Sequence, residues 1–388
     1  MKKFKLGLLP KLFIAMALGV LIGRCAPDWT IRALNTFGGL FGQFIKFFVP
    51  FIIVGLVTPA IVETGRGAGK LLLIVLGLAY ASTIFAGTFA FGVSAAVYPH
   101  ILTGGLDEAA QAKVFAPYFK LAIPPLMGVT TALATSFMFG LGLIAAKAEV
   151  LTKAALEMRE VVSKTIQSAF VPFLPLFVLS VIADLTGSGR LAVIGGACVK
   201  MMAFAMAVSV TILLIQFTVA GLVARKNPLK ALGTMLPAYM TGWGCCSSAA
   251  TIPYTLAQTK KNGVSDETAE LVVPLCANVH LSGSMANMVV YAVGFMVLAH
   301  EPLPLGAFAE YILMISVVAV ASPGVPGGMV LACASIAEQA LGFTSERYAL
   351  MIAIYMALDG MGTAANLTGD GAIALIVDRI RKRLAVQP

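Results

Sequence analysis

The stretch DGMGTAANLTGDGAIALIVDRI, residues 359–380, decides the fold. It belongs to an apolar run, 347–379, long enough to cross a bilayer, which takes about 20 helical residues. Yet it carries two aspartates well inside the run. Asp359, Thr363, Asn366 and Asp370 recur at i, i+4, i+7 and i+11. At about 100° per residue they fall within an arc of roughly 60°, one face of a helix. Inserting a carboxylate into hydrocarbon costs about 2.5–3.5 kcal/mol. The pair therefore needs a counter-charge: a bound cation, a substrate ammonium or protons. A structural polar seam between helices is the plainer alternative. Gly369 and Gly371 flank Asp370 and predict local unwinding, which would free carbonyl groups as further ion ligands. Two carboxylates eleven residues apart lie about 16 Å apart along a helix, too far for a catalytic dyad. With no nucleophile–base pair and no phosphate loop elsewhere, the chain is not read as an enzyme.

The whole composition agrees with a membrane interior. Of 388 residues 59% are hydrophobic and only 12% charged, against about 45–50% and 25% in soluble domains. The mean hydropathy is +0.93. That excludes a soluble enzyme, a disordered chain and a coiled coil. An outer-membrane barrel would keep alternate residues polar. What remains is an all-α polytopic membrane protein, since backbone facing lipid must satisfy its own hydrogen bonds. The net charge of +9 does not point to nucleic acid. The basic residues gather at segment ends (Lys2, Lys3, Lys5; Arg66, Lys70; Arg225, Lys226, Lys230; Lys260, Lys261; Arg379, Arg381, Lys382, Arg383), the pattern of cytoplasmic loops. The six cysteines, at 25, 198, 245, 246, 276 and 333, show no paired spacing, so neither a disulfide framework nor a zinc site is predicted. Residues 6–24 read as a retained first helix, not a removed signal peptide.

Eight spans are predicted: 6–24, 35–63, 70–98, 118–146, 165–185, 191–223, 266–298 and 347–379. They leave both termini on the cytoplasmic side. Residues 147–164, rich in Lys and Glu, read as an amphipathic surface helix leading into span 5. Two further apolar stretches, 231–258 around GWGCCSSAATIP and 304–345 around ASPGVPGG, break at Gly, Pro and small residues. Each reads as a re-entrant helical hairpin, entering from opposite sides. The span after each is predicted to be interrupted, at NVHLSGS (278–284) and at 359–370. Inverted pairs of Gly/Pro-interrupted segments are the sequence mark of a transporter binding site.

NLTGDGAIALIVDRI (366–380) resembles the signature of the dicarboxylate/amino acid:cation symporters, the glutamate transporter homologues. SSAATIP (247–253), NVHLSGS, GVPG (324–327) and FIKFFVPFIIVGLV with TGRGAGK (45–70) follow the family order, so the resemblance covers nearly the whole chain. It implies an elevator-type transporter with inverted repeats, working as a homotrimer in a bacterial-type inner (plasma) membrane. Residues 1–64 and 99–190 would supply the scaffold, helices 1–2 and 4–5. Residues 65–98 and 191–388 would form the transport domain. By resemblance, Asp359 binds the substrate ammonium. Thr363, Asn366, Ser247 and Ser248, with Gly362 and the hairpin 2 tip residues Val325 and Gly327, complete the substrate site. Asp370 and Asn366 match a sodium (metal) site. Ser82, Thr83, His280 and Ser282 match a second cation site. No organic cofactor is implied; Na+ and/or H+ is the coupling ion, and the partners are an amino acid and the lipid bilayer.

Departures from the family pattern carry the substrate reading. Acidic-substrate members set an arginine against the side-chain carboxylate; here those positions are Gly362 and Cys246. A second carboxylate would be desolvated unpaired, so a small neutral amino acid is expected, with Gly362 leaving room for its side chain. A dicarboxylate or acidic amino acid symporter, and a channel with anion conductance, stand as alternatives. The family's asparagine and aspartate ligands have become His280 and Ser282, which removes a formal charge. Histidine titrates in the physiological range, so His280 is read as a packed neutral imidazole, a proton carrier or a metal ligand. Fewer sodium ions per cycle are expected than in acidic-substrate members. Tyr80 falls one position off the expected tyrosine. The Cys245–Cys246 pair reads as small residues at a tight tip.

Overall fold

The computed structural model describes residues 8–66, 70–102, 114–321 and 327–384, and among these every regular element is helical. In chain order they are α1 (Leu8–Cys25), α2 (Asp28–Arg66), α3 (Lys70–Ile101), α4 (Val129–Ala145), α5 (Glu149–Thr165, prolonged by a π turn Ile166–Phe170) and α6 (Leu174–Gly187). Then follow α7 (Arg190–Ala224), α8 (Pro228–Cys245), α9 (Ser248–Lys261), α10 (Asp266–Val279), α11 (Ser282–Leu298), α12 (Leu305–Ala321), α13 (Gly328–Ala332), α14 (Ala334–Leu341) and α15 (Ser345–Leu384).

Five described spans are long and apolar enough to cross a membrane, and α5–α6 makes a sixth if the bent pair is one span. The apolar helices α1, of 18 residues, and α4, of 17, stand where the other two spans were expected. Hairpin 1 forms, with α8 turning back into α9 at Cys246–Ser247, and the arms of hairpin 2, α12 and α14, pack together, its tip at 322–326 lying outside the described residues. Span 7 is interrupted as expected, with His280 and Leu281 outside helical geometry between α10 and α11.

Three expectations are corrected. Span 4 does not run from 118: residues 114–128 form no regular element and α4 begins at Val129. Pro117, Pro124 and Pro125 remove backbone donors and push their predecessors out of helical geometry. Span 5 is not a straight helix over 165–185, because the amphipathic α5 runs into it and α6 leaves at 47°, beside Pro172 and Pro175. Span 8 is not interrupted: α15 is one helix of 40 residues through 359–370. Its glycines accept neighbours instead of unwinding. A Cβ at Gly360 would lie 2.4 Å from the Trp243 carbonyl oxygen, and one at Gly369 2.6 Å from His280 Cε1.

Two packing groups follow. In the first, α1 lies along α6, while α2 packs on α4, α5 and α6. Gly19 and Gly23, spaced i and i+4, bring α1 onto the backbone of α6; a Cβ at Gly23 would sit 2.6 Å from the Ala183 carbonyl oxygen. Such small-residue pairs let helices approach closely where lipid supplies no hydrophobic drive. In the second, α15 runs through the middle of α7, α8, α9, α10 and α11, and α3 lies along α11. Most of α11 and α15 is buried, which explains helices that are apolar almost all round. The groups meet where α12, α13 and α14 rest on α2, with Lys46 of α2 paired to Glu338 of α14 at 2.7 Å, and also where α1 and α6 touch α15 and α6 touches α7.

Candidate functional site

The break between α10 and α11 holds His280 at 0% exposure, facing Asp370 of α15, itself 1% exposed. His280 Nδ1 lies 2.9 Å from Asp370 Oδ1, and Nε2 lies 3.0 Å from Ser82 Oγ of α3. Gln216 of α7 donates through Nε2 to Ser82 Oγ at 2.9 Å and to Ser282 Oγ at 3.0 Å. These contacts order the protons. Ser82 Oγ accepts from Gln216, so its own hydrogen goes to His280 Nε2. The imidazole then donates from Nδ1 to the carboxylate. A neutral histidine is satisfied at both nitrogens in this arrangement. Asp370 Oδ2 and Gln216 Oε1 are buried without a hydrogen-bond partner among the described residues. Buried polar oxygens left this way are rare and mark a place for water or an ion.

Around this cluster the neighbouring backbone ends are closed by side chains. Leu281 N donates to Thr83 Oγ1 at 3.3 Å. Asn366 Oδ1 accepts from Gly283 N at 2.8 Å and Ser284 N at 3.1 Å, capping the start of α11 from another helix. Asn366 Nδ2 donates to Ser284 Oγ at 2.9 Å.

Three turns earlier on α15, Asp359 marks where both hairpins arrive. Gly327, left-handed at φ 73° and capping α13, donates its N–H to Asp359 Oδ2 at 2.8 Å. The hairpin 1 tip meets the adjacent Gly360 through the Trp243 carbonyl and Cys246 Sγ. Cys246 takes the left-handed conformation at φ 50° that turns α8 back, and Ser247 then caps α9, its Oγ accepting from Ala250 N. Ser248 of α9 and Thr363 of α15 are buried polar groups. Asp359 is 6% exposed and makes no ion pair among the described residues. A buried carboxylate with the Gly327 N–H and the neighbouring Tyr355 hydroxyl but no cation beside it is undercompensated.

A model of the sodium:dicarboxylate symporter family matches residues 8–380. The chain belongs to the sodium:dicarboxylate symporter family. Within that family of multi-pass membrane transporters, its curated relatives include neutral amino acid transporter A of Bos taurus and of Homo sapiens. Each is 29% identical over 160 residues, which is 41% of this chain and 30% of the relative. The matched stretch thus spans under a third of those relatives' length.

In this symporter-family chain the residues expected to bind cations, Ser82, Thr83, His280, Ser282, Asn366 and Asp370, do converge. Those expected to bind substrate converge less fully. Asp359 and Gly327 touch; Ser247 and Ser248 lie at the hairpin 1 turn; Val325 falls outside the described residues. Gly362 does not leave the open space expected of it. A Cβ there would lie 3.1 Å from Asn287 Nδ2 and 3.2 Å from Ser284 Oγ, because the missing side chain lets α11 close onto α15. Three residues were missed in the sequence: Gln216, which donates to Ser82 and Ser282; Asn287, whose Nδ2 lies against Gly362; and Tyr355, whose hydroxyl neighbours Asp359. The available signal was a lone amide in an apolar helix, as in ILLIQFTVAG, where a polar group is expensive without a partner.

Proposed function

We propose that this chain is a secondary active symporter for a small neutral amino acid, coupled to Na+, H+ or both. The observation that carries it is Asp359: a buried carboxylate without an ion pair, where both hairpin tips meet, with Gly362 and Cys246 where an arginine would be needed for a second carboxylate. An amino acid supplies the missing ammonium, and the capped start of α9 offers donors to its carboxylate. The neutral amino acid transporters among the relatives support this substrate class. Sodium coupling is supported by the family description. A proton component is supported by His280, which already occupies Asp370, the only carboxylate of the cation cluster. The elevator division assigns α1, α2 and α4–α6 to the scaffold and α3 with α7–α15 to the moving part, and the two packing groups support it. Assembly as a homotrimer in a bacterial-type inner membrane with cytoplasmic termini completes the proposal.

The test is a thermal-shift and binding screen of amino acids and dicarboxylates, each with and without Na+. Alanine or serine should stabilise the protein more than aspartate or succinate. A dicarboxylate as the tightest ligand would overturn the neutral-substrate reading.

A further inference from the structure

Three chain segments come together at one end of the second packing group. Lys226, between α7 and α8, donates through Nζ to the Asn262 carbonyl, and Asn262 Nδ2 donates back to the Ala231 carbonyl at 2.9 Å. Ser265, which precedes α10, gives its N–H and its hydroxyl to Asp378 Oδ1 of α15, at 3.2 and 2.6 Å. The α7–α8 turn, the α9–α10 turn and the last turns of α15 thus form one joined face. Its carboxylates are already matched. Glu267 pairs with Arg381, Asp378 with Lys382, and Asp266 and Glu270 with Lys260. Arg225, Lys230, Lys261 and Arg383 are left over, exposed and without an ion pair among the described residues.

Arg225 adds a second observation. It ends α7 in the left-handed conformation at φ 56°, and the Lys226 N–H bonds back to the Gly221 carbonyl at 2.9 Å. Helices that end this way usually do so with glycine, because a Cβ strains the backbone there. The Arg225 side chain has no hydrogen bond or ion pair among the described residues to offset that strain. Strain kept at such a place points to a role for the residue beyond the fold. Directing the chain across a membrane calls for basic residues in such loops, but not for their union on one face, nor for an arginine in a left-handed turn.

What flanks these cations decides the partner. Leu222 stands three residues before Arg225 and Leu229 next to Lys230, and they are 75% and 69% exposed. A soluble polyanion would leave both leucines in water. An anionic leaflet covers them with its acyl boundary and meets the cations with its phosphates.

We infer that this end of the bundle is a docking surface for anionic phospholipid, with Arg225, Lys230, Lys261 and Arg383 meeting the headgroup phosphates. The inference needs no substrate and stands apart from the neutral amino acid reading.

The experiment purifies the full-length protein in detergent with a limiting, equal mixture of phosphatidylglycerol and phosphatidylcholine, and counts the retained lipids by mass spectrometry. Wild type should retain phosphatidylglycerol over phosphatidylcholine by at least about 5-fold. The combined change Arg225→Gly, Lys230→Gln, Lys261→Gln and Arg383→Gln should bring the ratio close to one. Arg225→Gly alone should lower it about 2-fold without lowering Tm, because glycine suits the left-handed turn. Lys153→Gln with Lys164→Gln, on α5, should leave the wild-type ratio. A wild type without preference overturns the surface, and so does a preference that survives the combined change or falls equally in the α5 variant. Loss of the preference to excess glycerol phosphate overturns the leaflet as partner, since the headgroup alone would then suffice. If the combined variant does not elute as wild type does, Arg225→Gly decides, and an unchanged ratio there overturns the proposal.

Discussion

Asp359 and His280 divide the chemistry of α15 between them. Asp359 waits for an ammonium, so Asp359→Asn should weaken amino acid binding at least about 30-fold, since truncating one partner of a buried charge pair costs about 2–5 kcal/mol. Isothermal titration on a variant that keeps its wild-type elution profile checks this, and retained affinity would contradict it. Asp370 is different: it is already held by His280 at 2.9 Å. A sodium ion must displace that contact, and Ser282 adds no charge to help it. His280→Asn should therefore raise the apparent sodium affinity and steepen the sodium dependence. Proteoliposome uptake under separately imposed Na+ and proton gradients reads both, and a wild-type Hill coefficient near three, unchanged by the substitution, would refute the account. Much of this was legible in the sequence, because helical periodicity alone sets Asp359, Thr363, Asn366 and Asp370 on one face. Gln216, Asn287 and Tyr355 were not. A single polar residue in an apolar helix acquires meaning only when packing shows what it faces.

At the scale of elements, glycine was the residue most easily misread. Within α15 it predicted unwinding, yet the helix is continuous and its glycines admit the hairpin 1 tip at Gly360 and the His280 ring at Gly369. Glycine lowers helix propensity by about 1 kcal/mol, too little to break a helix buried on all sides. The interruption at His280 was legible for another reason, since polar groups from α3 and α15 take over the freed backbone donors there. Span 4 was overextended because apolar composition outweighed three prolines in the reading, whereas sterics let the prolines win. Two substitutions separate these packing roles. Gly23→Val overfills the α1–α6 contact, where a Cβ at this position would lie 2.5 Å from Thr186 Cβ. It should lower stability by about 1–3 kcal/mol, seen as a lower Tm in detergent. Gly360→Ala drives a methyl against the Trp243 carbonyl and should weaken substrate binding about 10-fold, through hairpin 1, for a similar packing strain. Equal effects of the two on substrate affinity would contradict the placement of the site at Gly360.

For the whole molecule, the account needs two bodies that move against each other across α2. The contact is thin in charge, and the Lys46–Glu338 pair, 21% and 51% exposed at its side chains, contributes no more than about 1 kcal/mol. It is a place to trap motion. Lys46→Cys with Glu338→Cys, in a chain stripped of its six native cysteines, should lose uptake when cross-linked and regain it on reduction. Full uptake by the cross-linked protein would contradict an elevator. The division into scaffold and moving part came to the sequence only through the family resemblance; the seating of hairpin 2 on α2 was not legible, because it depends on contacts between elements far apart in the chain. The central claim, sodium-driven transport of a small neutral amino acid, is tested most directly by uptake of labelled serine into proteoliposomes holding the purified chain. The account predicts accumulation that requires an inward sodium gradient, with or without a proton gradient, and that unlabelled alanine suppresses while aspartate and succinate do not. Accumulation of succinate or aspartate in preference to serine, or serine flux indifferent to both gradients, would contradict it.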